Sequence, residues 1–336
     1  MPLTRTRGSR MRHRFPGSGA GTVVLVYCAA LAIAPGICAA AAPLCVSDEG
    51  IYCFARADLT PLWQSLRGRT THAPAILDEL VVAGGNGGVI AFAGNGTQRW
   101  ELRDDGHAFT PTVADGQLFF GTLSGALVSA RSDGSVRWRR HFSGWMYSPA
   151  VSGLVVASGG QAGVLHAVHR ATGQMLWNLQ LDQELVNRPV TVDDGHLAAT
   201  TFAGTLLKLD ARAGRVVWRR AFGVPAKSPL VVAGTWFCAL FDGRVTAVAA
   251  ADGEIRWQTA LPAAVELTAA GNQVVAHDAE RLTMLQMHDG KILQQREFGS
   301  SIVAARGLDA GRVVVFLREG NQVRAETVYL QRAYPR

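Results

Sequence analysis

The chain has 336 residues, 48% of them apolar and 18% charged, with 37 glycines and a formal net charge of +7. These values exclude a disordered chain and a coiled coil, and leave room for a large core. They do not speak for a nucleic-acid partner. Arg5, Arg7, Arg10, Arg12 and Arg14 precede residue 42 with no acid among them, and 33 Lys+Arg less those five leaves 28 against 26 Asp+Glu.

The head of the chain reads as a secretory signal peptide. It is basic to Arg14, apolar from Thr22 to Ala34, broken at Pro35-Gly36, and small-residue-rich beyond. Cleavage is expected near Ala40–Ala42, so 1–41 is a leader and 42–336 an exported, periplasmic domain. The thirteen-residue apolar run is short of the about 20 residues a span needs. Membrane contact is therefore expected only through an uncleaved leader acting as an anchor.

Beyond the leader lie Cys45, Cys53 and Cys238. In an oxidising compartment "CVSDEGIYC" can close a disulfide between Cys45 and Cys53, the alternative being unpaired small apolar residues. Cys238, inside "TWFCALF", reads as a buried strand residue. No Cys/His spacing for zinc or c-type haem occurs, and no metal ligands are assigned.

From Trp63 onward the chain repeats itself. Trp63, Trp100, Trp138, Trp177, Trp218 and Trp257 follow at intervals of 37, 38, 39, 41 and 39 residues. A glycine stands four residues before each from the second on: Gly96, Gly134, Gly173, Gly214 and Gly253. In a further copy Gly290 keeps its place but Gln294 replaces the Trp. Two β-patterned runs precede each glycine, as in "LFFGTLSGALVSA", and a short run starting at a proline precedes those (Pro74, Pro111, Pro149, Pro189, Pro229). Turn pairs such as Asp133-Gly134 and Asp252-Gly253 supply the positive φ that tight hairpins use. Four strands in about 40 residues, repeated, predict an all-β propeller of four-stranded antiparallel blades.

The ends are incomplete copies. "GIYCFARADLTPLW" offers two strands, and the run from Ile302 to Leu330 offers two or three. Joined into one blade they would close the ring at seven, with no exposed sheet edge. Eight is the alternative, if each end builds its own.

The phrases "AVHRATGQMLW" and "KLDARAGRVVW", with "GTLLKLD" before the second, resemble the repeat of the pyrroloquinoline-quinone (PQQ) enzyme-like propellers across 45–330. That family includes quinoprotein alcohol and glucose dehydrogenases. It also includes the non-enzymatic propeller lipoprotein of the outer-membrane β-barrel assembly machinery. The resemblance implies that the tryptophans dock between blades against the next copy's glycine turn. It further implies a non-catalytic scaffold in the cell envelope that binds another envelope protein or a small ligand, without nucleic acid. The alternatives are a PQQ-dependent dehydrogenase using calcium, or a small-ligand sensor. No residue here matches the dehydrogenases' calcium ligands or base, and no adjacent cysteines occur, so no cofactor or catalytic residue is assigned. Against the assembly lipoprotein stand two departures. Tyr27 and Ile37 precede Cys28 and Cys38 where lipid attachment wants a small residue, and seven blades fall one short.

Other chemistries find no support. "GGNGG" (Gly84–Gly88) has no following Lys-Ser/Thr, and His166 and His169 point to opposite faces of a strand. A candidate site comes from the residues two before each inner-strand proline: His72, Phe109, Tyr147, Asn187 and Lys227, with Glu266 in the copy lacking proline. They differ at every blade, which suits an asymmetric pocket for a small ligand or peptide end at one mouth of the ring, the alternative being ordinary solvated loop positions. Trp145, in "HFSGWMY" with Phe142 and Met146, is a second candidate for docking a partner, the alternative being that these side chains pack under the blade.

Overall fold

A computed structural model describes residues 42–66, 72–185, 187–263 and 265–330. The expected leader lies outside them. Among the described residues every regular element is a strand, and no helix is long and apolar enough to cross a membrane.

Eight antiparallel sheets form the blades of a propeller. Blade 1 holds Ala75–Leu77, Leu80–Phe92 and Gln98–His107. Blade 2 holds Thr112–Ala114, Gln117–Gly121, Ala126–Arg131 and Val136–His141. Blade 3 holds Ala150–Ser152, Val155–Gly159, Val164–His169 and Met175–Gln180. Blade 4 follows with Val190–Asp193, His196–Thr200, Thr205–Asp210 and Val216–Ala221. Blade 5 has Leu230–Val232, Thr235–Ala239, Arg244–Ala249 and Ile255–Ala260. Blade 6 has Glu266–Ala270, Gln273–His277, Arg281–Gln286 and Ile292–Glu297. Blade 7 is Ile302–Asp309, Arg312–Glu319 and Gln322–Tyr329. Blade 8 is Leu44–Ser47, Ile51–Phe54 and Pro61–Ser65.

The count is therefore eight rather than seven, and the two ends do not share a blade. The sequence reading missed Leu44–Ser47, a four-residue strand too short to show periodicity. It pairs with Ile51–Phe54 in register, Cys45 opposite Cys53, and those cysteines are disulfide-bonded. With a third strand of its own, the N-terminal piece makes a separate sheet beside blade 7. Blades 1, 7 and 8 have three strands each instead of four. In blade 1 the cause is local: Leu80–Phe92 runs on through Gly87 and Gly88, both at positive φ, where other blades break into a turn.

No single core exists. Buried apolar residues gather in eight clusters, one at each contact between neighbouring blades. Strand alternation divides each blade between two of them. Leu44, Val46, Tyr52 and Phe54 of blade 8 meet Val314 and Phe316 of blade 7. Cys45, Ile51 and Cys53 on the other face meet Val81 and Ile90 of blade 1. Inner strands are also stitched across blades, as where Thr191 Oγ1 donates to the Val151 carbonyl at 2.7 Å and accepts from its amide at 3.1 Å.

Each repeat tryptophan reaches into the following copy. Trp63, Trp100, Trp138, Trp177, Trp218 and Trp257 donate from Nε1 to the carbonyls of Gly94, Ser132, Arg170, Ala211, Ala250 and Met287, at 2.7–3.1 Å. The ring lies flat on the repeat glycine. A Cβ on Gly173, whose φ is 68°, would sit 2.8 Å from Cδ2 of Trp138. Only glycine fits there, on conformation and on space. Trp138 and Trp257 are buried and the other four are not fully so.

Trp138→Ala should lower unfolding free energy by about 3–5 kcal/mol, the range for removing a buried large aromatic. Trp63→Ala, at a more open site, should cost less. Urea unfolding of the two variants tests this, and an unchanged midpoint for Trp138→Ala would deny the indole a packing role.

Candidate functional site

Five of the six mouth residues, all but Asn187, occupy one structural position repeated around the ring. His72, Phe109, Tyr147 and Lys227 donate their amides to carbonyls of their blades' second strands at 2.9–3.0 Å: to Gly84 within the long strand of blade 1, and to Gly121, Gly159 and Ala239 at the ends of the others. Glu266 takes the same place by pairing with His277. The outer-to-inner loop thus delivers one side chain per blade to the same face.

The structure brings five of the six into two groups. His72, Phe109 and Tyr147 form an aromatic arc, with ring centroids 5.2 Å apart for His72–Phe109 and 5.0 Å for Phe109–Tyr147. Lys227 Nζ meets Glu266 Oε1 at 2.5 Å. Asn187, between the arcs in chain order, is buried. The mouth is thus apolar-aromatic on one side and ionic on the other.

Three further residues belong to it that sequence reasoning missed. His107 Nε2 lies 2.5 Å from His72 Nε2, and its Nδ1 lies 2.7 Å from Asn86 Oδ1. With the amide oxygen accepting from Nδ1–H, His107 Nε2 is left to accept the proton of His72 Nε2, so both imidazoles are neutral. His277 is buried against Glu266. The only sequence signal for His107 was its place two residues before Phe109, and His277 had none, because cross-strand pairing is not written in a repeat.

Burial drives the electrostatics. Burial, aided by His107, lowers His72 to about 3, and burial lowers His277 to about 4. Burial raises the Glu266 carboxyl against the opposing pull of Lys227. It also raises the Tyr147 hydroxyl, with Glu184 adding to the shift. The site thus holds neutral histidines, a carboxylate paired with Lys227 and a protonated phenol. Among the described residues no group of three His, Cys, Asp or Glu is placed to hold a metal ion.

The "HFSGWMY" loop is divided. Met146 is buried, Phe142 stacks on His166 with centroids 4.4 Å apart, and Trp145 is left 37% exposed beside the mouth. Leu123, Phe202 and Phe241, on second-to-third-strand turns of blades 2, 4 and 5, are also exposed on this face.

A family model described as outer membrane protein assembly factor BamB matches residues 86–184 and 161–328. The chain belongs to that family. A BamB of Yersinia pestis is 30% identical over 183 residues, which is 48% of this chain and 46% of that protein. A BamB of Moranella endobia (strain PCIT) is 23% identical over 248 residues, 67% of this chain and 63% of its own. A third, from Shewanella oneidensis, is 28% identical over 109 residues, 31% of this chain and 27% of that one. The chain thus spans less than two thirds of the length of each of these BamB relatives. Among solved structures, BamB from Moraxella catarrhalis superposes with a TM-score of 0.68 at 19% identity, covering 87% of this chain and 95% of that one. The computationally designed Ika8 protein gives 0.73 at 17% identity, covering 87% and 97%. Those two likenesses speak for the fold.

Acid should unfold this BamB-family propeller through its neutral histidines. Their folded pKa values lie below the unfolded 6.5, so the stability they confer is full above 6.5 and lost as pH falls toward about 4 and about 3. Each contributes a slope of up to about 1.4 kcal/mol per pH unit in that window. Melting curves from neutral pH downward should fall, and His72→Gln/His277→Gln should fall less steeply. Equal slopes would place the acid sensitivity elsewhere.

Proposed function

We propose that the chain is a non-catalytic protein-interaction scaffold of outer membrane protein assembly, working in the cell envelope and docking partners at the mouth lined by His72, Phe109, Tyr147, Asn187, Lys227 and Glu266. The observation that carries this reading is the family match over 86–184 and 161–328. The chemistry of the mouth is consistent with it. An aromatic arc, one ion pair and exposed Trp145, Leu123, Phe202 and Phe241 are the composition of an interface core with a polar anchor. Among the described residues no nucleophile is paired there with a base, which acyl or phosphoryl chemistry would require.

Deletion of the protein from its native host should lower the amount of folded β-barrel protein in the outer membrane. Tyr147→Ala/Lys227→Ala should reproduce that loss while still folded by circular dichroism at the growth temperature, with melting lowered by the lost Tyr147 packing and the unpaired Glu266. A deletion without effect on barrel levels would overturn the assembly role. A deletion effect that the double variant fully rescues would move docking away from the mouth.

The quinoprotein alternative has its own test. PQQ, with or without calcium, should give no saturable quenching of tryptophan fluorescence and no alcohol- or sugar-dependent dye reduction. Saturable quenching with turnover would make this a compact dehydrogenase instead.

A further inference from the structure

The near-neutral charge of the body hides a segregation on its circumference. The outer strands of blades 2, 3, 4 and 5 are six residues each, and they contain Arg137, Arg139, Arg140, Arg219, Arg220 and Arg256 with no Asp or Glu. Elsewhere the outer strands mix signs or carry none. Blade 1 sets Glu101 and Asp104 beside Arg99 and Arg103, blade 6 sets Glu297 beside Arg296, and blade 8 has no charge.

Blade 3 stands in the middle of this sector and differs from its neighbours. Its outer strand, "MLWNLQ", is uncharged, with Met175 48% and Leu176 44% exposed. Arginine-bearing strands flank it on blades 2 and 4. Arg137 and Arg219 are exposed, and among the described residues neither has an ion-pair partner. Arg140 and Arg220 donate from Nε to the carbonyls of Gly173 at 2.8 Å and Gly253 at 2.6 Å, which leaves their charge unmatched by a carboxylate. Only Arg139 is paired, to Asp104. The acids of the adjoining turns, Asp133, Asp210 and Asp252, accept amides of their own turns and, with Glu254, lie at the ends of these strands and not along them.

We propose that this sector, centred on the outer strand of blade 3, docks on an anionic lipid headgroup surface. Eight blades in a ring set neighbouring outer strands about 45° apart, so a flat surface meets one strand first and its two neighbours slightly behind. The strand that leads is apolar, and the strands that recede carry long cationic side chains able to reach forward. That is the order of groups an interface of acyl chains below phosphates demands. Guanidinium groups bind phosphate oxygens in pairs, and a basic cluster is attracted to an anionic surface within a Debye length. The outer strands of a ring of blades form a convex rim, which fits an extended, deformable partner better than an acidic folded protein. Guarding of sheet edges by charge accounts for arginines on edges. It does not account for the exclusion of acids from the outer strands of this one sector, or for the absence of arginine from its central strand. Sequence analysis expected membrane contact only through an uncleaved leader, and this contact is independent of the leader and of the mouth.

The test is co-sedimentation of the mature protein with vesicles of phosphatidylcholine alone, and of two parts phosphatidylcholine to one part phosphatidylglycerol. Binding should require phosphatidylglycerol and weaken as salt rises to physiological strength. Arg137→Glu/Arg219→Glu should bind at least about tenfold more weakly, and Met175→Ser/Leu176→Ser should also bind more weakly, each with melting unchanged. Lys291→Glu, an exposed charge on a blade 6 turn, should bind as wild type. Failure to bind the anionic vesicles, equal binding to both vesicle types, or indifference to the arginine pair would overturn the proposal. A loss with Lys291→Glu as large as with the arginine pair would overturn it too, by showing bulk charge in place of a defined sector.

Discussion

An indole laid over the glycine of the following copy, its N–H given to a carbonyl beside that glycine, is the contact on which the ring depends. It joins outer strands that share no backbone hydrogen bonds, and it recurs from blade 8 to blade 5 with the same donor geometry. Because the apolar residues divide into eight inter-blade clusters, each blade is stable only against its neighbours. Removing one indole therefore loosens two blades at once. It strands a carbonyl and opens space over a glycine that no other residue type can fill.

The contact fails in one arc, and other interactions take its place. Blade 6 has Gln294 where the Trp belongs, and blade 7 has no fourth strand. There Arg296 pairs with Glu326 across the blades and lies over Phe298, 4.7 Å from the ring centroid. Between blades 7 and 8 the buried Asp48 accepts from Arg318, with Nε at 2.7 Å and a second bond from the same guanidinium. Burial nevertheless raises the Asp48 carboxyl. An ion pair of this kind supplies specificity more than net stability, and losing one member leaves a buried charge. Closure thus rests on a disulfide-pinned hairpin, Phe54 against Phe316, and a directional salt bridge. No strand is exchanged.

What was legible in the sequence is what repeats. The Gly-x-x-x-Trp spacing and the strand-opening prolines reveal blades because each copy must present the same two faces to its neighbours. The end count was not legible, since Leu44–Ser47 is four residues without a repeat partner, and a strand that short carries no period. The mouth was half legible. The position before the inner strand was read in six of the eight copies, but His107 and His277 reach it from neighbouring strands, along contacts that only the fold creates. Trp145 and Met146 are adjacent in sequence and opposite in exposure, which loop composition alone does not decide.

The same division explains where function can reside. Positions that hold blades together are occupied by the repeat glycines, the tryptophans and other apolar side chains, so they carry the fold and nothing specific to this protein. Freedom lies at one side chain per blade on the mouth and at the alternate positions of the outer strands that face away from the indole. At both, this chain breaks its own symmetry. The mouth sets aromatics against an ion pair, and the rim gathers arginines around an uncharged apolar strand. A tally over the whole chain averages that rim to near zero, because it sets the six arginines of these strands against acids on every other part of the ring. The physical quantity a charged surface senses is the local field within a Debye length, not the sum. Only after the propeller assigns Arg137, Met175 and Arg219 to three successive outer strands does the sequence show a patterned surface where its composition showed neutrality.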